Sequence, residues 1–314
     1  MNFLEKSAEI ALKRCMGLKQ GESCLIIYDK NKERVAKAFY VRSKKITGNV
    51  RLLEKPVGKM DSEEPPRYIA KEMLKYDVII IVSTKSMSHT LARKRAVDSG
   101  ARLASMPNIT EHAMKALDID YSKMKKLNEK IKKILKGGVE LRLITEKGTD
   151  IKMKIREDVK DDGGIYNQKG RWGNLPSGEV AFAPFEGTTG GIYVVDASMS
   201  GIGLLKSPIK ITVKNGKAIK IEGRKEAERL KKLIAGVKNS RNIAELGIGT
   251  NNRAKITGTV LEDEKVFGTA HIALGDNYSL GGRIQAGCHL DGVIRQPTIF
   301  IDGKKLMEKG RLLL

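Results

Sequence analysis

The stretch Val78-Ile-Ile-Ile-Val82 is apolar at every position, which is typical of a strand that is covered on both faces of a parallel sheet. Similar short runs occur at Cys24–Tyr28, Asn49–Leu53 and Arg102–Met106. Helical patterns lie between these runs, and Asn31 can cap a helix that continues to Arg42. Because strands and helices alternate, this part of the chain is predicted to be α/β with a mainly parallel sheet.

The hydrophobic period changes after this part, which indicates a second domain. In Tyr121–Lys136 apolar residues recur at helical spacing amid lysines, and Gly137-Gly138 ends the pattern. Apolar residues then alternate on either side of turns at Lys147-Gly148 and Asn215-Gly216, as they do in β-hairpins. We therefore predict an N-terminal α/β domain over residues 1–136 and a sheet-rich α+β domain over residues 137–314.

Composition limits the class of protein. A chain of 314 residues with 40% hydrophobic content can fill sizeable cores. The three cysteines, Cys15, Cys24 and Cys288, are too far apart for a zinc knuckle and form no disulfide framework. This usage is typical of a reducing compartment, so we predict a cytoplasmic protein. No run approaches the roughly 20 apolar residues of a membrane span, and no membrane partner is expected.

The chain is strongly basic, with 59 Lys+Arg against 37 Asp+Glu and a formal charge of +22. Such a charge raises the possibility of a basic nucleic-acid-binding protein. However, the lysines are scattered, and only 5% of residues are aromatic, which leaves few stacking platforms for single strands. We therefore expect a solvated surface and no specific nucleic-acid partner. Neither a Gly-x-Gly-x-x-Gly nor a Walker pattern is present, so no nucleotide cofactor is predicted.

Histidine is rare, and two of the four histidines lie close together in the sheet-rich half. In His289-Leu-Asp291 the period of two places imidazole and carboxylate on one face of a strand, where both can reach a single divalent ion. A lone pair of this kind is more often a salt bridge than a ligand set. His271 lies in another alternating run, Thr269–Gly275, and a polar ring in a strand of that kind needs a partner.

Two glutamates are further candidates. Glu245 is flanked by apolar residues in Ile243–Ile248, and a carboxylate there is unfavourable unless it is paired or bound to metal. Glu179 follows a turn and begins an apolar run; for both residues a solvent-facing strand position remains an alternative. The acids Glu262, Asp263 and Glu264, with Lys265, have the pattern of an exposed loop, so we do not expect them to be ligands.

At these residues the chain resembles the aminopeptidase T and aminopeptidase S metallopeptidases, some of which are described as leucyl aminopeptidases. The resemblance covers most of residues 174–294 and rests on a few short motifs. They are Asn174-Leu-Pro-Ser-Gly-Glu-Val180, Ala183-Pro184, Ala244-Glu-Leu-Gly247, His271-Ile-Ala-Leu-Gly275 with Tyr278, and His289-Leu-Asp291. It implies two divalent ions (cobalt, zinc or manganese) bound by Glu179, Glu245, His271, His289 and Asp291, with Tyr278 as the active-site tyrosine, in a homodimer.

The resemblance implies an aminopeptidase that removes N-terminal amino acids from peptides. In such a site two ions activate a shared water, Glu245 bridges them or acts as the base, and Tyr278 stabilises the oxyanion. A ring-cleaving dioxygenase of the same superfamily is the alternative, because His271, His289 and Asp291 alone would make a two-histidine, one-carboxylate iron site. Glu179 and Glu245 would complete a second metal site, so the hydrolase is the preferred prediction.

Overall fold

The computed structural model describes residues 1–314, which form two compact units. The first comprises Met1–Tyr121 and Gly164–Ser177, and the second comprises Ser122–Gly163 and Gly178–Leu314. This division differs from the predicted domain limits, because the helix of residues 121–137 packs Ile131 and Leu135 into the core of the second unit. The limits at residue 136 therefore stay a prediction.

The elements are numbered in chain order. The helices are α1 (Phe3–Ile10), α2 (Glu33–Lys44), α3 (Arg67–Met73), α4 (Leu91–Asp98), α5 (Tyr121–Gly137), α6 (Lys225–Ile234) and α7 (Val260–Asp263). The strands are β1 (Cys24–Tyr28), β2 (Val50–Glu54), β3 (Val78–Ser83), β4 (Arg102–Pro107), β5 (Glu140–Ile144), β6 (Asp150–Lys154), β7 (Lys160–Asp162), β8 (Trp172–Asn174), β9 (Glu179–Phe182), β10 (Gly190–Val195), β11 (Ser198–Met199), β12 (Gly203–Leu204), β13 (Ile209–Lys214), β14 (Lys217–Glu222), β15 (Ile243–Gly249), β16 (Ala270–Gly275), β17 (His289–Ile294), β18 (Thr298–Ile301), β19 (Lys304–Glu308) and β20 (Arg311–Leu312).

The first unit is built on a five-stranded sheet in the order β2-β1-β3-β4-β8, and every neighbouring pair is parallel. Strand β3 is buried at all its positions, as the apolar run Val78–Val82 predicts. Helices α3 and α4 contribute Ile69, Met73 and Ala96 to the core on one side of this sheet. The predicted mainly parallel α/β layer is therefore confirmed.

The second unit contains two antiparallel sheets. An eight-stranded sheet has the order β14-β13-β10-β6-β5-β18-β19-β20, and a seven-stranded sheet has the order β12-β11-β17-β16-β15-β9-β7. The predicted hairpins are present as β5–β6 and β13–β14. Leu143 and Ile211 of the larger sheet share one core with Leu246 and Ile272 of the smaller sheet. This core holds one face of the seven-stranded sheet and leaves the opposite face for polar side chains.

The fold class is thus the predicted one, a parallel α/β part followed by a sheet-rich α+β part. None of the helices is long and apolar enough to cross a membrane.

Candidate metal centre

The five predicted ligands lie on four neighbouring strands of the seven-stranded sheet, β17, β16, β15 and β9. Glu179 begins β9, Glu245 and His271 lie within β15 and β16, and β17 carries both His289 and Asp291. The strand register aligns them, because Ala273 of β16 pairs with Glu245 on one side and with Asp291 on the other. The sheet therefore collects side chains that are up to 112 positions apart in sequence, from 179 to 291.

Alternation along each strand separates the site from the core. In β15, Leu246 and Ile248 belong to the core, whereas Glu245 and Gly247 have the opposite parity. The same alternation in β16 sends Ile272 to the core and His271 to the other face. The apolar residues of these strands thus fix the register of the sheet, and the register fixes the polar face.

The donor atoms of the ligand candidates lie within contact distance of one another. Nε2 of His289 is 2.9 Å from Oε2 of Glu245 and 3.2 Å from Oδ1 of Asp291. Nε2 of His271 is 3.4 Å from Oε2 of Glu179 and 3.6 Å from Oε1 of Glu245. Glu245 therefore lies between the two imidazoles and presents one oxygen atom to each.

These side chains form three overlapping groups that could each hold a metal ion, with donor atoms within 4.8 Å of one another. The groups are Glu179 with Glu245 and His271, Glu245 with His289 and Asp291, and Glu264 with His271 and Asp291. Each group combines one histidine with two carboxylates. The two-histidine, one-carboxylate set considered from the sequence spans two of these groups, which meet at Asp291.

Gly247 provides the space in which the His271 ring lies. The two residues are paired across β15 and β16, and a Cβ atom on Gly247 would lie 2.2 Å from both Cε1 and Nε2 of the ring. Real Cβ contacts are essentially never that short. The motif Ala244-Glu-Leu-Gly247 therefore supplies two parts of the site, the Glu245 carboxylate and the gap that admits His271.

His289 is oriented from behind by the main chain. Its Nδ1 lies 2.7 Å from the carbonyl oxygen of Asp276, which accepts a hydrogen bond when Nδ1 carries the proton. The side chain of Asp276 in turn accepts hydrogen bonds from the backbone N–H groups of Tyr278 and Ala286. This arrangement leaves Nε2 as the atom that faces Glu245 and Asp291, and metal-binding histidines are commonly held in this way.

The prediction that Glu262, Asp263 and Glu264 lie in an exposed loop is wrong, since these acids and Lys265 are buried. Asp263 accepts hydrogen bonds from the backbone N–H groups of Thr257 and Gly258, and these donors stabilise its carboxylate away from water. Glu264 extends to the site and belongs to one of the three groups. A run of four charges between Leu261 and Val266 was the one signal in the sequence, and it does not reveal which charges turn inward.

Lys265 is a further residue of this site that the sequence did not indicate. Its Nζ is 2.5 Å from Oε1 of Glu179, 2.8 Å from Oε1 of Glu264 and 3.9 Å from Oδ2 of Asp162. The other oxygen atom of Glu179, Oε2, has no hydrogen-bond donor. An ammonium group therefore lies beside two of the three groups that could hold an ion, the group of Glu179 and the group of Glu264.

The protonation equilibria of the site reflect an excess of buried negative charge. Burial lowers the pKa of His271, but the hydrogen bond to Glu245 and the charge of Glu179 outweigh burial and raise it to about 9. Burial likewise opposes protonation of His289, yet the charges of Asp291 and Glu245 hold its pKa well above the ordinary value. Burial raises the pKa of Glu264 to about 8, although Lys265 opposes the shift. The cluster therefore favours cations, whether protons or a metal ion.

Tyr278, predicted as the oxyanion donor, is the one site candidate with an exposed side chain. It begins a short 3-10 helix, Tyr278–Leu280, and 63% of the residue surface is accessible. Its backbone N–H donates to Asp276, so its main chain contributes to the segment that orients His289. The role of its phenol as an oxyanion donor is implied by the resemblance to the aminopeptidases, and it applies only to peptide hydrolysis.

A family of known proteins matches nearly the whole chain. The model of the family described as NicX, 2,5-dihydroxypyridine 5,6-dioxygenase, matches residues 11–314. A protein named 2,5-dihydroxypyridine 5,6-dioxygenase from Pseudomonas putida is 23% identical over 246 residues, which cover 74% of this chain and 70% of that protein.

Two solved structures show the same fold. The 2,5-dihydroxypyridine dioxygenase from Pseudomonas putida superposes with a TM-score of 0.83 at 19% identity, covering 99% of this chain and 96% of that one. Wild-type AmpT from Thermus thermophilus superposes with a TM-score of 0.73 at 14% identity, covering 99% of both chains. The likeness to the aminopeptidase therefore extends to the fold alone.

These matches overturn the prediction of an aminopeptidase, a hydrolase that acts on peptides. The family model and the related sequence both carry the description of a dioxygenase, the class that the sequence analysis held as the alternative. The fold is shared between a dioxygenase and the AmpT protein, so a resemblance at this level could not separate the two classes. Candidate metal-binding residues are present, but nothing supports two ions or the choice of cobalt, zinc or manganese. The cytoplasmic location and the homodimer stay predictions.

Proposed function

Since this chain belongs to the 2,5-dihydroxypyridine 5,6-dioxygenase family, we propose that it is a metal-dependent dioxygenase that opens the ring of a dihydroxylated pyridine. The observation that carries the proposal is the family match over residues 11–314, together with a buried cluster of acids and histidines inside the matched region. The related protein from Pseudomonas putida carries the name of this activity. Our proposal extends that activity, or that class of substrate, to this chain.

The donor set suits a divalent iron ion. Imidazole nitrogens and carboxylate oxygens are the ligands of non-haem iron oxygenases, and no thiolate is part of the cluster. We propose that the ion binds among His271, His289, Glu245 and Asp291. Of these, Glu245, His271 and Asp291 each belong to two of the three groups. Iron bound there would supply the redox chemistry that lets molecular oxygen react with an electron-rich aromatic ring.

The chain contributes orientation, charge and exclusion of water. The Asp276 carbonyl oxygen keeps the proton of His289 on Nδ1, so that Nε2 offers its lone pair toward Asp291. Glu245 and His271 are almost fully buried, which keeps competing water away from their donor atoms. In the metal-free protein the Nε2 atoms of His271 and His289 lie 3.6 and 2.9 Å from the Glu245 carboxylate, and deprotonation of these rings would free their nitrogen atoms for an ion.

The test is a ring-opening assay under controlled oxygen. Metal-free protein, loaded with iron(II) without oxygen, is mixed with 2,5-dihydroxypyridine and labelled O2, and oxygen uptake and product mass are recorded. We expect one O2 consumed per ring opened, with both labelled atoms in the product. Consumption of O2 without ring opening, or a product that carries only one labelled oxygen atom, would contradict a dioxygenase.

A matched pair of variants ties the activity to the site. Asp291→Asn removes a negative charge from the metal centre. We expect iron affinity to fall by roughly 10–100-fold and the rate of ring opening to fall with it. Asp98→Asn makes the same change at an exposed ion pair of helix α4 and should leave both unchanged. Equal activity in the two variants would place the reaction elsewhere.

A further inference from the structure

The ion pairs of Lys265 differ in their exposure from the lysine ion pairs at the surface of the chain. In the pairs Lys305 with Glu308 and Lys309 with Glu146, the lysine side chains retain 37% and 66% of their accessible surface. The Lys265 side chain retains 1%. Surface pairs of the first kind contribute little to stability, whereas a buried ammonium is tolerated only where acceptors surround it.

The acceptors of Lys265 belong to the metal centre itself. Its Nζ contacts Oε1 of Glu179 at 2.5 Å and Oε1 of Glu264 at 2.8 Å, and each of these acids belongs to a different group that could hold an ion. The carboxylate of Asp162 lies 3.9 Å away on the same side. Three acids therefore converge on one fixed positive charge.

The third group that could hold an ion contains neither Glu179 nor Glu264. Glu245, His289 and Asp291 make no ion pair with Lys265, so their donor atoms are free of the ammonium. A divalent ion on Glu179 would share that carboxylate with Lys265, and two cations held by the same side chain repel one another. The site can thus hold two positive charges, and one of them is the ammonium group of Lys265.

We propose that the ammonium group of Lys265 takes the position of a second metal ion and limits the site to one divalent ion per chain. The inference rests on the metal centre of the proposed function, which it makes mononuclear. Glu179 and Glu264 are then partners of the lysine and not ligands. Lys265 is a positioning residue, because it acts on the ion through the acids that it neutralises.

The experiment counts metal ions and needs neither oxygen nor substrate, so failure of ring opening leaves it interpretable. Metal-free wild type, Lys265→Ala and Lys255→Ala are titrated with manganese(II) and measured by elemental analysis after removal of loose ions. Lys255 is an exposed lysine of the neighbouring segment. We expect one ion in wild type and in Lys255→Ala, and two in Lys265→Ala. Ethylammonium, which restores a cation to the vacated space, should displace the second ion.

Other outcomes overturn the inference. Two ions in wild type would show that the lysine excludes nothing, and a single ion in folded Lys265→Ala would show that it only holds its own segment in place. If Lys265→Ala does not fold, Lys265→Met combined with Glu179→Gln removes both charges of the pair and retains side-chain volume. That double variant should still bind one ion; loss of the ion would make Glu179 a ligand.

Discussion

The imidazole of His271 lies against Gly247, its partner on the adjacent strand, so this glycine controls the position of a candidate ligand. We predict that Gly247→Ala displaces the ring, since the added Cβ would lie 2.2 Å from Nε2. Metal affinity should fall by roughly 10–100-fold, as it does when groups that orient a ligand are changed. Titration of metal-free protein with iron(II) or manganese(II) measures the change.

The control for this variant is Gly190→Ala. Gly190 also lies in a strand of the second unit, β10, but a Cβ there meets no atom within 4 Å. Both variants replace a strand glycine by alanine, so they share the intrinsic effect on the backbone. Equal metal affinity in the two would mean that Gly247 does not position the His271 ring.

The charge state of His271 gives a prediction about pH. Its pKa in the folded, metal-free protein is raised from 6.5 to about 9, since Glu245 and Glu179 outweigh burial. A raised pKa stabilises the fold fully below 6.5, and this stabilisation is lost as pH rises through 9. The melting temperature of metal-free protein should therefore fall between these values, and metal affinity should rise by about tenfold per pH unit for each proton displaced.

Melting curves and metal titrations across this pH range test the prediction. The control is His112→Gln, which changes an exposed histidine of the first unit and should leave both trends intact. In His271→Gln the fall in melting temperature should shrink. A metal affinity independent of pH would mean that no ligand carries a proton in the metal-free protein.

At the scale of elements, the segment from Lys255 to Lys265 is held together by buried acids. Asp263, in the short helix α7, accepts from the backbone N–H groups of Thr257 and Gly258 at 2.7 and 2.8 Å. Glu262 accepts from the N–H group of Lys255 at 3.1 Å. These contacts turn the chain so that Glu264 and Lys265 face the metal centre.

We predict that Asp263→Ala lowers the free energy of unfolding by about 1–3 kcal/mol, because it removes a buried carboxylate that accepts from two part-buried backbone N–H groups. Hydrogen exchange should accelerate first in residues 255–265, and metal affinity should fall with it. Denaturant unfolding measures the free energy of unfolding, and mass spectrometry measures the hydrogen exchange of residues 255–265. Glu146→Ala, at an acid whose side chain is 74% exposed, should change neither. Unchanged exchange in Asp263→Ala would contradict the role of this carboxylate.

At the scale of the whole molecule, the formal charge of +22 remains to be explained. Many lysines form single exposed pairs with nearby acids, such as Lys37 with Glu33 and Lys94 with Asp98. Pairs of this kind leave the surface solvated and contribute little individually. This arrangement favours the prediction of a basic surface without a specific nucleic-acid partner.

We therefore expect duplex DNA to bind weakly and without sequence preference. Affinity should fall by roughly 10³-fold or more between about 50 and 200 mM salt, as counterions replace the protein. Fluorescence anisotropy with two unrelated duplexes at both salt concentrations measures affinity and preference together. A tight complex at the higher salt, or a clear preference for one duplex, would contradict a purely solvated surface.

Because hydrophobic period is a local property of the chain, the secondary-structure elements and the faces of their side chains could be predicted from the sequence. The all-apolar run Val78–Val82 specified a buried strand, and alternation in His289-Leu-Asp291 specified that the two polar side chains share a face. Turn residues such as Asn215-Gly216 specified a hairpin. The same local rules selected Glu179, Glu245 and His271 as candidates, although which of them bind metal is still a prediction.

Which charged side chains are buried, and which groups they contact, could not be predicted from the sequence and became visible in the folded chain. Lys265 and Glu179 are 86 positions apart, and they come together because the segment after Asn251 returns to the start of β9. Local composition predicted an exposed loop at Glu262–Lys265, whereas the fold buries these residues. The family resemblance implied a catalytic role for Tyr278, and the fold leaves that side chain at the surface. Burial depends on contacts between distant segments, so no window of sequence contains it. The difference between hydrolase and dioxygenase is finer still, because one fold occurs in both classes.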